Sequence, residues 1–195
     1  MSINIEIGGQ RTMDGWQNLG TRDNGFNILT HEIPADDGTV DMLYWSHVIE
    51  HLPACHLYDI LKRMHTKLKP GGLLRTLCPD LKKICEAYLN NDEEAFNRES
   101  SQNHWSSIDD HHKTMGIGGM FLAQVSYAQK TLRDENINIL QDGTYCASFS
   151  HVAAYDFDML SRALKHVGFS KVEESEIQAI DQHKEGGQLV VNAYK

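Results

Sequence analysis

The chain opens on an alternation. In INIEI at 3–7, apolar Ile3, Ile5 and Ile7 alternate with polar Asn4 and Glu6, the period of two that predicts a strand. Gly8-Gly9-Gln10 breaks the pattern. GWQNLG at 15–20 and FNILT at 26–30 are short strand candidates, separated by the turn-rich TRDNG. After the turn ADDG at 35–38, the apolar, partly β-branched run TVDMLYW at 39–45 reads as a buried strand. The period then changes. From Ala54 to Leu68, residues Leu57, Ile60, Leu61, Met64 and Leu68 recur at steps of three and four, which puts them on one helical face. Pro70-Gly71-Gly72 stops that helix.

LLRTLCP at 73–79 predicts another strand, and DLKKICEAYL at 80–89 a short helix with Asp80 as its N-cap. Residues 91–118 are polar and only weakly periodic, and 120–132 reads as helical. A further helix is predicted from Asp156 to Val167, with Met159, Leu160, Ala163, Leu164 and Val167 on its core face and Gly168 as its stop. SKVEESEI and QLVVNAYK supply the last two strands. No repeat and no linker divides the sequence, so residues 1–195 read as a single domain, with 91–150 as an insertion or lid within it.

Strands alternating with helices imply a parallel sheet covered on both faces. In such a sheet ligands bind beyond the carboxyl ends of the strands. Those ends are Gly8-Gly9-Gln10, Gly20-Thr21, Thr30-His31-Glu32, Trp45-Ser46-His47 and Pro79-Asp80, a collection of glycines and polar groups.

Composition narrows the class of partner. At 195 residues with 41% hydrophobic and 23% charged, the chain can bury a full core. No apolar run approaches the roughly 18 residues of a membrane span. The start MSINIEIGGQ has no basic segment followed by an apolar one, so no signal peptide is expected and the expected compartment is cytoplasmic. Eighteen Lys and Arg against 27 Asp and Glu give a formal charge of -9, which argues against a nucleic acid as partner. The basic stretch LKRMHTKLK at 61–69 reads as a solvated helix face. None of Cys55, Cys78, Cys85 and Cys146 forms C-x-x-C, so reduced, mostly buried thiols are expected rather than a zinc site.

The stretch YWSHVIEHL at 44–52 contains H-x-x-E-H in His47, Glu50 and His51. On a helix, two histidines four apart share a face and can hold zinc, with the glutamate as general base of a hydrolase. The context disfavours this: the motif follows directly on a strand, and Leu52-Pro53 interrupts a helix straight after it. With 11 histidines in the chain, chance pairings of this kind are common.

A second reading covers more of the sequence. TVDMLYWSHVIEHL, followed by a helix and then LKPGGLLRTLCPDL, resembles the central part of class I S-adenosylmethionine-dependent methyltransferases, above all the type 11 small-molecule branch. GWQNLG close behind the first strand and HVAAYDFDMLSRALKHVGFSKV near the end are similar to further elements of that branch. The resemblance extends over residues 3–90 and 151–195. It implies a Rossmann-like, seven-stranded methyltransferase sheet, mostly parallel with the last strand antiparallel beside the fifth, and helices on both faces. It also implies S-adenosylmethionine as cofactor and a small polar metabolite, such as a sugar, as acceptor, with no membrane partner and no metal.

The resemblance further places the cofactor against Gly8, Gly9, Gln10, Gly20, Asp23, His31, Glu32, Ser46 and His47. Glycines at the first loop let backbone pass close to a ligand. Glu32 matches an acid that faces the adenine, and Ser46 and His47 would flank the methionine part. An oxygen acceptor needs a base, for which His51 and His151 are the candidates. His111 and His112 would join them if the insertion folds over the site, and Trp105 and Tyr145 would form an aromatic wall. Two positions depart from the branch: Gln10 replaces the second glycine of the first loop, and Gly20 replaces the acid that holds the ribose, with Asp23 three residues on. These departures keep open a degenerate, non-catalytic member that acts as a binding or scaffold module.

Overall fold

The computed structural model describes residues 2–8, 13–20, 24–100, 114–125, 137–139, 145–147, 151–181 and 187–195. Six strands form the main sheet: β1 (Asn4–Ile7), β2 (Trp16–Leu19), β3 (Val40–Ser46), β4 (Leu68–Pro79), β7 (Lys171–Glu174) and β8 (Gln188–Tyr194). Their order is β2-β1-β3-β4-β8-β7. The first four are parallel, and β8 runs antiparallel to both β4 and β7. A separate hairpin joins β5 (Ile137–Ile139) to β6 (Tyr145–Ala147).

The two faces of the sheet differ. Helices α1 (Leu57–Lys67) and α5 (Phe157–His166) both pack on the face carrying Ile5, Leu43, Trp45, Leu74, Leu189 and Val191. Leu57, Ile60, Leu61 and Met64 of α1, and Leu160, Ala163 and Leu164 of α5, are buried there, as the helical spacing predicts. Met159, expected on the core face of α5, is exposed instead. The opposite face holds Tyr44, Leu77 and Val190, packed by Met13, Trp16, Met42 and Ile177. Among the described residues no helix joins that second cluster, so the expected helical cover is described on one face only.

The seventh predicted strand, 26–30, is not a strand. Residues 28–30 form a turn, although Phe26 and Ile28 are buried in the main core. The reason is local hydrogen bonding. The Asn27 side chain accepts from Leu29 N at 3.0 Å. The Asn27 carbonyl accepts from Thr30 N at 3.1 Å and His31 N at 2.8 Å. Arg63 of α1 donates to the carbonyls of Ile28 and His31. These backbone groups are satisfied without a ladder, so the apolar residues enter the core from a turn.

The basic face of α1 is likewise engaged. Beside Arg63, Lys67 pairs with Asp37 at 2.8 Å, and Lys69 just past the helix pairs with Asp41. Lys69-Pro70-Gly71-Gly72 lies within the first part of β4, where the register slips between Val40 and Met42 of β3. Gly71 has φ 75°, and a Cβ on Gly72 would lie 2.9 Å from the Lys69 carbonyl oxygen and 3.0 Å from that of Val40. Gly71 is therefore favoured by its left-handed backbone, and Gly72 is needed for the close approach of β4 to β3.

Part of the expected insertion is helical. Asp92 caps α3 (Glu93–Ser100) by accepting from Ala95 N at 2.9 Å. α3 packs with α2 (Leu81–Leu89) and α4 (Gly116–Val125) through Phe96, Ile84, Met120 and Ala123, a cluster apart from the main core. The predicted cap Asp80 holds α2, accepting from Lys82 N at 3.0 Å, and Asp156, the expected first residue of α5, caps that helix by accepting from Met159 N at 2.8 Å. Of the three described cysteines only Cys78 is buried, and none of the three is in a disulfide.

On the second sheet face, Arg75 is fully buried. Its Nε donates to Asp181 Oδ1 at 2.8 Å and its Nη2 to Asp181 Oδ2. Nη1 donates to Asn192 Oδ1 at 2.9 Å, and Nη2 to the Glu176 carbonyl at 2.9 Å. Removing one partner of such a pair strands a buried charge. Asp181→Ala is therefore expected to destabilise the protein by about 3–5 kcal/mol, read from urea unfolding midpoints at constant m-value. A loss below about 1 kcal/mol would show that the pair does not hold the segment after β7.

Candidate functional site

The carboxyl ends of β1 and β3 lie side by side, with Ile7 opposite Trp45. Gly8 turns away from β1 at φ 79°, and a Cβ there would meet Val48 Cγ2 at 2.4 Å. The glycine is thus demanded by conformation and by packing against the segment after β3. β3 ends at Ser46, and His47 N donates to the Leu77 carbonyl at 3.0 Å. His47 has φ 54°, a left-handed conformation unusual outside glycine. A short 3₁₀ turn, Ile49–His51, follows, and Pro53 is extended before the next turn at Ala54–His56.

This geometry decides the H-x-x-E-H question. His47 and His51 are not neighbours on an α-helical face, because the chain reverses hand at His47 and then makes a single tight turn. The histidine pair of a helical zinc protease is therefore absent. The turn does something else: it brings His47 Nδ1 to 2.9 Å from Glu50 Oε1, with both side chains buried.

Glu50 organises the site through both backbone and side chain. Its carbonyl accepts from Val152 N at 2.8 Å and Ala153 N at 3.1 Å. Two strands away in sequence, Leu81 N donates to the Tyr155 carbonyl at 2.9 Å, and Asp80 and Tyr155 form a parallel bridge. The segment 151–155 is thereby fastened across the ends of β3 and β4. His151 arrives beside the Glu50 carboxylate, its ring 5.1 Å from that of His51 in an edge-on arrangement. His51 Nε2 is 4.0 Å from Glu50 Oε1. His151 Nδ1 lies 2.6 Å from the Gln124 carbonyl of α4. A carbonyl only accepts, so Nδ1 carries the proton and Nε2 presents its lone pair.

Electrostatics follow from burial. Burial opposes a charge on Glu50, yet His47, His51 and His151 outweigh it and bring the carboxyl down to about 2. For His151 burial dominates and depresses the imidazole to about 4, against the pull of Glu50. Burial and the nearby Glu50 carboxylate push Cys78 well above the usual thiol range. At neutral pH the cluster is a buried carboxylate facing a neutral, oriented imidazole, with His51 reaching partly to the surface.

The other residues singled out by sequence divide into groups. Ser46 is buried at the end of β3, and its Oγ has no hydrogen-bond partner among the described residues. Gly20 ends β2, and its N–H donates to the Asn24 side chain at 3.2 Å. His31 and Glu32 are not brought to the cluster. His31 Nδ1 accepts from Asn27 N at 2.9 Å, and the Glu32 carboxylate is exposed, 3.9 Å from Arg63 midway along α1. Gly9, Gln10, Asp23, Trp105, His111 and His112 lie outside the described residues, as does the side chain of Tyr145. Sequence reasoning missed Glu50 as the centre of the site and Gln124 as the group that orients His151. It also missed Asn24, whose side chain occupies the end of β2 and whose place in a turn-rich TRDNG was the available signal.

Comparison with known proteins adds the fold. No protein-family model matches the chain, and no curated relative matches it. Among solved structures, an S-adenosylmethionine-dependent methyltransferase from Archaeoglobus fulgidus aligns over 100% of this chain and 86% of its own, with a TM-score of 0.52 at 13% identity. A similar enzyme from Thermotoga maritima gives a TM-score of 0.47 at 12% identity over 100% of this chain and 83% of its own. A candidate O-methyltransferase from Nostoc punctiforme aligns at a TM-score of 0.44 and 12% identity over 93% of this chain, which spans 37% of that protein. The Archaeoglobus structure has the mixed α/β fold of class I methyltransferases, and the sheet described above is of that kind. Among the described residues the main sheet has six strands where seven were expected, the residues of the expected strand 26–30 forming a turn.

Two outcomes test this geometry. Gly8→Ala forces a side chain into Val48 at a positive φ, and should cost about 1–3 kcal/mol in chemical denaturation. Acidification tests the cluster. Folding holds His151 near 4 against an ordinary 6.5, and Glu50 near 2 against 4.5. Both folded values are depressed, so the unfolded chain takes up protons first and stability falls as pH drops. The His151 contribution, about 3 kcal/mol, should be lost between about pH 6.5 and 4, with Glu50 adding a further loss below that. Urea midpoints across pH 4–7 that stay flat would contradict a buried, neutral His151.

Proposed function

We propose that this protein is an S-adenosylmethionine-dependent methyltransferase acting on a small polar metabolite, such as a sugar. The observation that carries the reading is the Glu50–His51–His151 cluster beyond the carboxyl ends of β1 and β3, in a sheet of methyltransferase kind. Two features fit the cofactor: the sharp turn at Gly8, and the Ser46 Oγ buried at the end of β3 without a protein partner. Bound there, the cofactor would supply an electrophilic methyl group. The chain's own work is then to hold an acceptor hydroxyl in line and take its proton.

His51 is the residue for that proton, since its side chain is 19% exposed and reachable from outside while Glu50 lies beside it. His151, deeper and held by the Gln124 carbonyl, lines the acceptor side. Gly8, Gly9, Gln10, Gly20, Ser46 and His47 make the cofactor side in this reading. Residues 91–150, of which α3 and α4 are helical, form its cover.

A second reading is favoured by one observation. Beyond the end of β2 stand Gly20 and the amide of Asn24, where the resemblance to class I methyltransferases implies an acid that holds the ribose. A protein that keeps the fold but binds the cofactor weakly, acting as a binding module, would look like this. Calorimetric titration with S-adenosylhomocysteine separates the two. Saturable binding is expected, and Gly20→Asp should tighten it by at least roughly tenfold, the equivalent of about 1.4 kcal/mol, because a carboxylate would gain the ribose hydroxyls. Absence of binding at millimolar cofactor, in both the wild type and Gly20→Asp, would exclude the methyltransferase reading.

A further inference from the structure

We infer that Glu50, His51 and His151 form a binding site for a divalent transition-metal ion. One ligand atom from each of the three lies within 4.8 Å of the other two. Two imidazole nitrogens and a carboxylate oxygen are the donor set of zinc sites that keep an open coordination position. In a tetrahedral zinc site such atoms stand roughly 3.3 Å apart, given metal–ligand distances of about 2.0–2.2 Å. The observed separation is wider than that, and the backbone that carries the site is already fixed. The fixing is independent of the side chains: Val152 and Ala153 donate to the Glu50 carbonyl and so set the distance between the two halves of the site.

Three further observations point to a cation. The Glu50 carboxylate is 2% exposed; His47 Nδ1 stands 2.9 Å from Oε1, and Oε2 has no hydrogen-bond partner among the described residues. A buried carboxylate of this kind calls for positive charge. His151 has its Nδ1–H committed to a backbone carbonyl, the arrangement that fixes a metal-binding imidazole with Nε2 forward. The third donor is in reach as well, with His51 Nε2 4.0 Å from Glu50 Oε1.

The site differs from the H-x-x-E-H reading in its membership. His151 replaces His47, and Glu50 is a ligand rather than a general base. It also departs from the expectation that the chain holds no metal. With three protein ligands, a four-coordinate ion has one position left for an oxygen from water or from a substrate hydroxyl, whose pKa it would lower; with the ion bound, His51 is a ligand and the hydroxyl proton passes to solvent instead. That role rests on the methyltransferase reading; the site itself stands on the geometry of the cluster.

The test uses the full chain, stripped with chelator and titrated with zinc by calorimetry and with cobalt(II) by visible absorption. One equivalent should bind, the cobalt form should show the ligand-field band of a four-coordinate ion, and zinc should raise the melting temperature. Glu50→Gln and His151→Asn should each weaken binding by about 100-fold or more, beyond what loss of an outer partner gives. His166→Ala, which removes a histidine stacked on Tyr58 away from the cluster, should bind as the wild type does. Failure of the wild type to bind either ion in the micromolar range overturns the proposal. So does binding that Glu50→Gln and His151→Asn leave unchanged, since the ion would then sit elsewhere. If these variants do not fold, the cobalt spectrum of the wild type decides alone: an octahedral, hydrated spectrum overturns the site. A parallel titration with S-adenosylhomocysteine on the stripped protein tells the failure of this site from the failure of the methyltransferase reading.

Discussion

A single buried carboxylate sets the terms for the strand ends. Glu50 is almost fully enclosed and ionised, a combination that is costly unless positive or donating groups surround it. Those groups come from two parts of the chain far apart in sequence. His47 and His51 are local, placed by one left-handed residue and one tight turn. His151 comes from 100 residues further on, and it reaches Glu50 because the backbone of 152 and 153 is hydrogen-bonded to the same residue. The ordering of the site and the docking of the late segment are therefore one event. His151 in turn binds the carbonyl of Gln124, which ties α4 and its small cluster with α2 and α3 to the site.

The sheet supports this arrangement from two chemically different faces. One is a continuous apolar layer under α1 and α5. The other carries a row in register, Glu6 opposite Tyr44, Tyr44 opposite Arg75 and Arg75 opposite Asn192, with Asp181 folded over it. Burying Arg75 there is tolerable because its donors are met by Asp181, Asn192, Ser175 and Glu176. The antiparallel strand β8 is held between β4 and β7 by this network as well as by its ladder. It fixes the end of β4, from which Asp80 and the bridge to Tyr155 begin.

Much of this was legible before the structure. The period of two in INIEI, the long steps in α1 and α5, and the cap Asp80 were each readable, since each follows from local spacing alone. FNILT failed because its apolar letters were weighed without Asn24 and Asn27, whose side chains satisfy backbone donors that a strand would have used. The site was only half legible. Gly8 could be read as a turn, and the H-x-x-E-H letters drew the eye to the right residues. Their arrangement could not be read, because it depends on a positive φ at His47, which histidine rarely adopts. The partner His151 and the Gln124 carbonyl were beyond reach for another reason: they join by tertiary docking, and a backbone carbonyl leaves no mark on residue type.

Of the three histidines around Glu50, His51 and His151 are not equivalent, and the difference bears on what the cluster does. His151 is buried, neutral and held at its far nitrogen, so it has a fixed direction and little freedom to exchange protons with solvent. His51 is partly exposed and stands at the end of a 3₁₀ turn, so a ligand can approach it from outside. One carboxylate therefore anchors a rigid inner imidazole and an accessible outer one. A site for proton transfer needs the outer group and gains little from a rigid inner one. A site for a cation needs both, because coordination requires two nitrogens and an oxygen converging from fixed directions. His151 is pinned by its hydrogen bond to the Gln124 carbonyl of α4 and by two backbone bonds beside it, which fix the direction in which it faces Glu50.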